Sequence, residues 1–139
     1  MTKLCQIILA LTIALTGCNQ DKKIEDSLFK EVMDVHDEVM PEMGTLRKLS
    51  KAVQLKLDSL STDSTRLDTS SKAEMEKAIA ELKKANDSMM EWMRQFEQIE
   101  EGTPHGEVMN YLLNQKKLIE KVKEDMLKAK EKGKYYLNQ

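Results

Sequence analysis

The sequence predicts an all-α protein, an up-down-up bundle of three long amphipathic helices, on three observations. Apolar residues recur at steps of three and four through most of the chain, which lines them along one side of a helix. With Gly 5 and Pro 2 among 139 residues, turn formers are too few for an all-β fold. Charged residues make up 33% of the chain and aromatic ones 4%, which fits solvated helix faces over aliphatic seams better than an enzyme-sized α/β core. The length limits the protein to one modest domain.

The bundle is expected over residues 24–133. Ile24, Leu28, Val32, Val35 and Val39 open the first helix near residue 24, and the same face resumes at Leu46, Leu49, Val53, Leu57 and Leu60. Pro41 and Gly44 fall between the two runs. Proline lacks an amide hydrogen and clashes with the preceding turn, so the first helix is expected to be kinked or broken near Pro41. Residues 59–71 are dense in Ser, Thr and Asp, whose side chains compete for backbone hydrogen bonds, and they read as a solvated linker. Ser71 and Glu74 have the spacing of a capping box, so the second helix is expected over about residues 72–100. Its stripe is Met75, Ile79, Leu82, Met89, Trp92, Met93 and Phe96, with Ala78 and Ala85 allowing close approach of a neighbour.

Gly102 stops that pattern, and Thr103-Pro104 reads as an N-cap followed by proline at the first helical position. The third helix then turns Val108, Leu112, Gln115, Ile119, Val122, Met126 and Ala129 inward. Gly133 is expected as its terminal cap or fray point, and residues 134–139 as a frayed tail. Each stripe needs a partner to escape water, which a three-helix bundle supplies. A sustained coiled coil is the nearest alternative, and the proline, glycine and linker interruptions favour the bundle.

Ahead of this domain, Lys3 gives a short basic region and residues 5–15 an apolar run shorter than a spanning helix. The run leads into Leu15-Thr16-Gly17-Cys18, which resembles the lipobox of bacterial lipoproteins: small residues before the cut and a thiol that receives the lipid. The resemblance implies a signal peptide over residues 1–17 and a lipidated Cys18 with a polar tether over 18–23. Attachment to membrane lipid would then come from acyl chains such as palmitate, at about 0.8 kcal/mol for each buried methylene. The inner and the outer membrane both stay open. Cys5 leaves with the leader, so no cysteine pair remains for a disulfide. The 22 basic and 24 acidic side chains give a formal charge of -2, which exerts no general pull on phosphate backbones, so nucleic acid is not expected as a partner.

Two groups of residues carry candidate chemistry. Met33, His36, Met40 and Met43 follow a three, four, three spacing along one helix side, and the second helix brings Met89, Met90 and Met93. Folding that helix back across the linker sets His36 near Met93 and Met40 near Met89. Thioether and imidazole donors together suit a soft ion such as Cu(I). Methionine is also an adaptable core filler, and packing is the simpler role. In the second group, the Trp92-Phe96 pair either packs inward or projects with Met89 as a surface for a partner protein. His105 caps or decorates the start of the third helix, and becomes a ligand only if another donor approaches it. Enzyme activity is not expected: the chain has no Cys-x-x-Cys motif, no Glu-x-x-His pair and no Gly-rich phosphate loop.

The segment His36-Asp37-Glu38-Val39-Met40-Pro41-Glu42-Met43, taken with Trp92-Met93 and a leader ending at Cys18, resembles small uncharacterised helical lipoproteins of Bacteroidota. That resemblance implies a cell-envelope location and an all-helical domain, and it carries no activity. The expected function is a non-enzymatic, lipid-anchored helical envelope protein that presents an interaction or structural surface to another envelope protein. Binding of Cu(I) by the Met/His face is the alternative.

Overall fold

The computed structural model describes residues 2–62 and 68–138, with side chains from Gln20 onward. The expected signal peptide over 1–17 and the lipidation of Cys18 therefore fall outside the described side chains. The described helices are α1 (Thr2–Val39), α2 (Glu42–Ser61), α3 (Thr69–Gln95) and α4 (His105–Asn138). The protein is all-α: α1 and α2 form one bent rod, and α3 and α4 complete a three-helix arrangement.

The bend is confined to Met40 and Pro41. Met40 still donates its amide to the His36 carbonyl at 2.8 Å, as in α1, and Met43 donates to the Met40 carbonyl at 3.2 Å to start α2. Pro41 has helical dihedrals, φ -62 and ψ -26, but no N–H to continue the ladder. The rod is exposed at Pro41, so the bend turns the chain around the core.

Cross-helix ion pairs fix the directions. Lys116 reaches Glu31 at 2.6 Å, Lys123 reaches Glu38 at 2.6 Å and Lys130 reaches Glu42 at 2.9 Å, so α4 runs parallel to the bent rod. Lys132 meets Glu81 at 2.8 Å and the Tyr136 hydroxyl donates to Glu74 at 3.2 Å, so α3 runs antiparallel to both. Helix α1 packs on α4, and α2 packs on both α3 and α4. The backbones of α1 and α3 stay further apart, and aromatic side chains span the gap between them.

The apolar stripes meet as their spacing predicts. Val32, Val39, Met43 and Leu46 from the rod pack with Leu82, Ala85, Met89 and Trp92 of α3 and with Ile119, Met126 and Ala129 of α4. Burying each large side chain of this kind is favourable by about 1.5–3 kcal/mol. Val108, Leu112 and Gln115 continue the α4 seam toward its start.

Several boundaries differ from expectation. Residues 20–23, expected as a tether, are helical, and Ile24 is exposed rather than inward. Helix α3 is capped by Asp68, whose carboxylate accepts from the Ser71 amide at 2.9 Å and from its hydroxyl at 2.7 Å. Ser71 is thus the capped residue and not the cap. Helix α3 stops at Gln95, short of the expected 100. Thr103 does not cap α4, because its hydroxyl donates to the Glu100 carbonyl at 2.8 Å. The first carbonyl to accept from α4 is that of Pro104, from Val108 at 3.1 Å.

Gly133, expected as a cap, lies inside α4 against Leu82. The expected tail is helical through Asn138, and Tyr136 is buried among Val53, Leu57, Met75, Ala78 and Ile79. Burial, and then the nearby Glu74 carboxylate, push the Tyr136 hydroxyl above its usual pKa.

Candidate functional site

Of the Met/His residues, His36 makes the contact that crosses from α1 to α3. His36 is half-buried, and its Nδ1 stands 2.8 Å from Asp37 Oδ1. Its ring leans on Trp92, with centroids 5.7 Å apart and planes tilted by 33°. The folding-back estimate set His36 against Met93, one residue from the contact found. The carboxylate fixes the orientation of the imidazole and leaves Nε2 for another partner.

The methionines divide into two groups. Met89 is fully buried and Met43 is buried, both within the central core cluster. An ion would reach either only by unpacking that core, so these two act as filler. Met33 and Met93 are half-buried, and Met40 and Met90 are exposed at 47% and 45%. Met33, His36, Met40, Met90 and Met93 are therefore the candidate donors that solvent can reach. Among the described residues, no group of three or more His, Cys, Asp or Glu side chains is placed to hold a metal ion.

The aromatic pair faces inward. Trp92 is only 6% exposed and Phe96 is half-buried, so the solvent-facing Trp92-Phe96 patch considered from the sequence is replaced by packing. Phe96 is the hub, with its centroid 4.9 Å from Trp92, 5.9 Å from Tyr111 and 6.2 Å from Phe29. The reason is the divergence of α1 and α3, which only large rings can fill. The indole Nε1 of Trp92 is buried without a hydrogen-bond partner in this cluster.

Two anchoring contacts were not legible in the sequence. The Tyr111 hydroxyl accepts from the Glu97 amide at 2.7 Å and donates to the Glu97 carbonyl at 3.0 Å, and so holds the chain where it leaves α3. His105 Nδ1 stands 2.7 Å from Glu25 Oε1, and its Nε2 is 3.9 Å from Asp21 Oδ1. This imidazole ties the start of α4 to α1 rather than decorating a helix end. Farther up, the Lys130 hydrogen bond holds the Glu42 carboxyl below its usual pKa, and the hydrogen bond to Glu31 raises that of Lys116.

No helix, among the described residues, is long and apolar enough to cross a membrane. Compared with family models, curated proteins and solved structures, the chain matches none.

Proposed function

We propose that this chain is a non-enzymatic, lipid-anchored helical protein of the bacterial envelope that presents its bundle surface to another protein. The observation that carries the reading is the apolar run ending in Leu15-Thr16-Gly17-Cys18. The placement of the first bundle contacts supports it. Asp21 and Glu25 already meet His105, so an acyl group on Cys18 would lie close beneath the base of the bundle. The test is expression of the full chain in a bacterium fed an alkyne-tagged palmitate. The expected result is a labelled product in the membrane fraction, with Cys18→Ala unlabelled and soluble. Equal labelling of both would overturn the anchor.

Soft-metal binding is the second reading, favoured by the Asp37 contact at His36 Nδ1 and by the half-buried thioether of Met33, which precedes His36 by three residues on the same helix. Titration of Cu(I) against a colorimetric chelator under reducing conditions tests it. Stoichiometric uptake that falls on His36→Ala with Met40→Ala would support it, and uptake no greater than that of denatured chain would reject it.

A further inference from the structure

The surface between α2 and α3, on the side away from α4, carries an open groove of about 490 Å³. Leu46 and Leu82, both fully buried, form its floor, and Leu55 stands 61% exposed along its edge. Exposed Leu55 is unexplained by the bundle's own packing, since its neighbours on the core side of α2 are Val53 and Leu57. The rim is mostly cationic: Arg47 and Lys51 on α2 and Lys83 on α3, against one acid, Asp87. Several surface lysines pair with carboxylates, as in Lys116 with Glu31 and Lys132 with Glu81, and others such as Lys48 and Lys84 pair with none among the described residues. Among the described residues, Arg47, Lys51 and Lys83 form no such pair. Asn86 lies in the same wall, with its Oδ1 buried and lacking a hydrogen-bond partner.

We infer that this groove docks one acidic amphipathic helix of a partner protein. The volume accommodates a few side chains of an incoming ridge and not a whole helix, so the occupant lies across the two rims with its apolar residues down. That is the helix-in-groove mode, in which side chains one turn apart act as anchors. Three cationic side chains on the rim, with one acid, select an occupant whose flanks are Asp or Glu. Such complementarity steers encounter and disfavours basic partners. A donor on the occupant could pair with Asn86 once the amide rotates outward, relieving an acceptor that is costly to leave unpaired. The inference deepens the interaction reading and does not depend on lipidation, which the palmitate experiment tests separately.

The probe is a synthetic amphipathic peptide of about 18 residues, with Leu along one face and Glu on both flanks. A second peptide replaces every Glu with Lys. Fluorescence anisotropy against the purified full chain should show saturable binding of the Glu peptide and at least about tenfold weaker binding of the Lys peptide. The double reversal Lys51→Glu with Lys83→Glu should invert that preference, and Leu55→Asp should weaken both peptides. All three positions are exposed, and circular dichroism checks that the variants stay folded. Equal binding of the two peptides, or binding untouched by the reversal, would overturn the inference. So would self-association of the chain in sedimentation that the reversal abolishes, which assigns the groove to a second copy. Binding to anionic phospholipid vesicles without binding to either peptide would assign it to a lipid surface and overturn it equally.

Discussion

The backbone of Gly133 rests on the side chain of Leu82, so closely that a Cβ at position 133 would stand 3.0 Å from Leu82 Cδ1. Leu49 Cβ, on the rod, would be 3.4 Å from the same point. At Gly133, α4 therefore packs closely against both other layers. Leu82 is fully buried, so it can yield only by shifting toward the α2–α3 groove that it floors. Gly133→Ala gains about 1 kcal/mol of helix propensity and loses about 1–3 kcal/mol to crowding, so the net expectation is a destabilisation of about 1 kcal/mol. Gly44 is the control. Nothing lies within 4 Å of a Cβ there, and Gly44→Ala should stabilise by about 0.5–1 kcal/mol. Urea midpoints should fall in the order Gly44→Ala, parent, Gly133→Ala.

Met89 and Met90 are neighbours in sequence with opposite environments. Met89→Ala empties a fully buried site and should cost about 2–5 kcal/mol. Met90→Ala removes an exposed side chain and should change stability by less than about 0.5 kcal/mol. Thermal melts of the two variants check the contrast. A similar loss at both positions would mean that Met90 packs against something beyond its own bundle.

The residues that separated cleanly in this way were those governed by helical period. Leu46, Leu82, Leu112, Ile119 and Met126 sit inside because three- and four-residue spacing alone puts them on one face. Proline chemistry likewise placed the bend at Pro41 without knowledge of the neighbours. What was not legible depends on a second helix. Helix α3 ends at Gln95 because Phe96 turns into the ring cluster and Tyr111, fourteen residues beyond Glu97, supplies to Glu97 the polar contacts that another turn would have made. Ile24 was misread for a similar reason: it lies beside Met109 and Leu113 on the outer flank of the α1–α4 contact, which leaves it exposed. Gly133 and Tyr136 were misread for the same reason, since a glycine near a chain end looks like a cap until Leu82 is seen beneath it. At the candidate metal seam, spacing put His36 at nearly the right height. It carried no information on direction, which is what divides Met43 and Met89 from Met40 and Met90.

Tyr111→Phe should loosen the chain at the end of α3. It removes both contacts to Glu97 and leaves the ring against Phe96, so the expected loss is about 0.5–1.5 kcal/mol. Hydrogen exchange reads it directly. The Glu97 amide should exchange faster in the variant, while amides in the middle of α4 change little.

Acid should weaken the attachment of the bend to α4. Lys130 lowers the Glu42 pKa through its hydrogen bond, opposed by desolvation and aided by its charge. The unfolded chain then binds a proton at Glu42 more readily than the folded one. The stabilisation is fully present above the ordinary glutamate range and is lost as pH falls through the lowered folded value. Glu42→Gln should cost about 0.5–1 kcal/mol near neutral pH, and the gap to the parent should close in acid. Urea midpoints at both pH values test the sign.

The parallel run of α4 beside the bent rod gives the bundle one long axis. Helix α4 has 34 residues and, at about 1.5 Å per residue, holds its Tyr136 end about 50 Å from its His105 end. The groove between α2 and α3 belongs to the Tyr136 half of that length, because Leu82 on its floor touches the position of Gly133. A partner docked there, as proposed, would be held several helical turns away from Asp21 and the base of α1. The length of the molecule, and with it the distance at which the proposed partner would be met, is set by the number of residues in its helices.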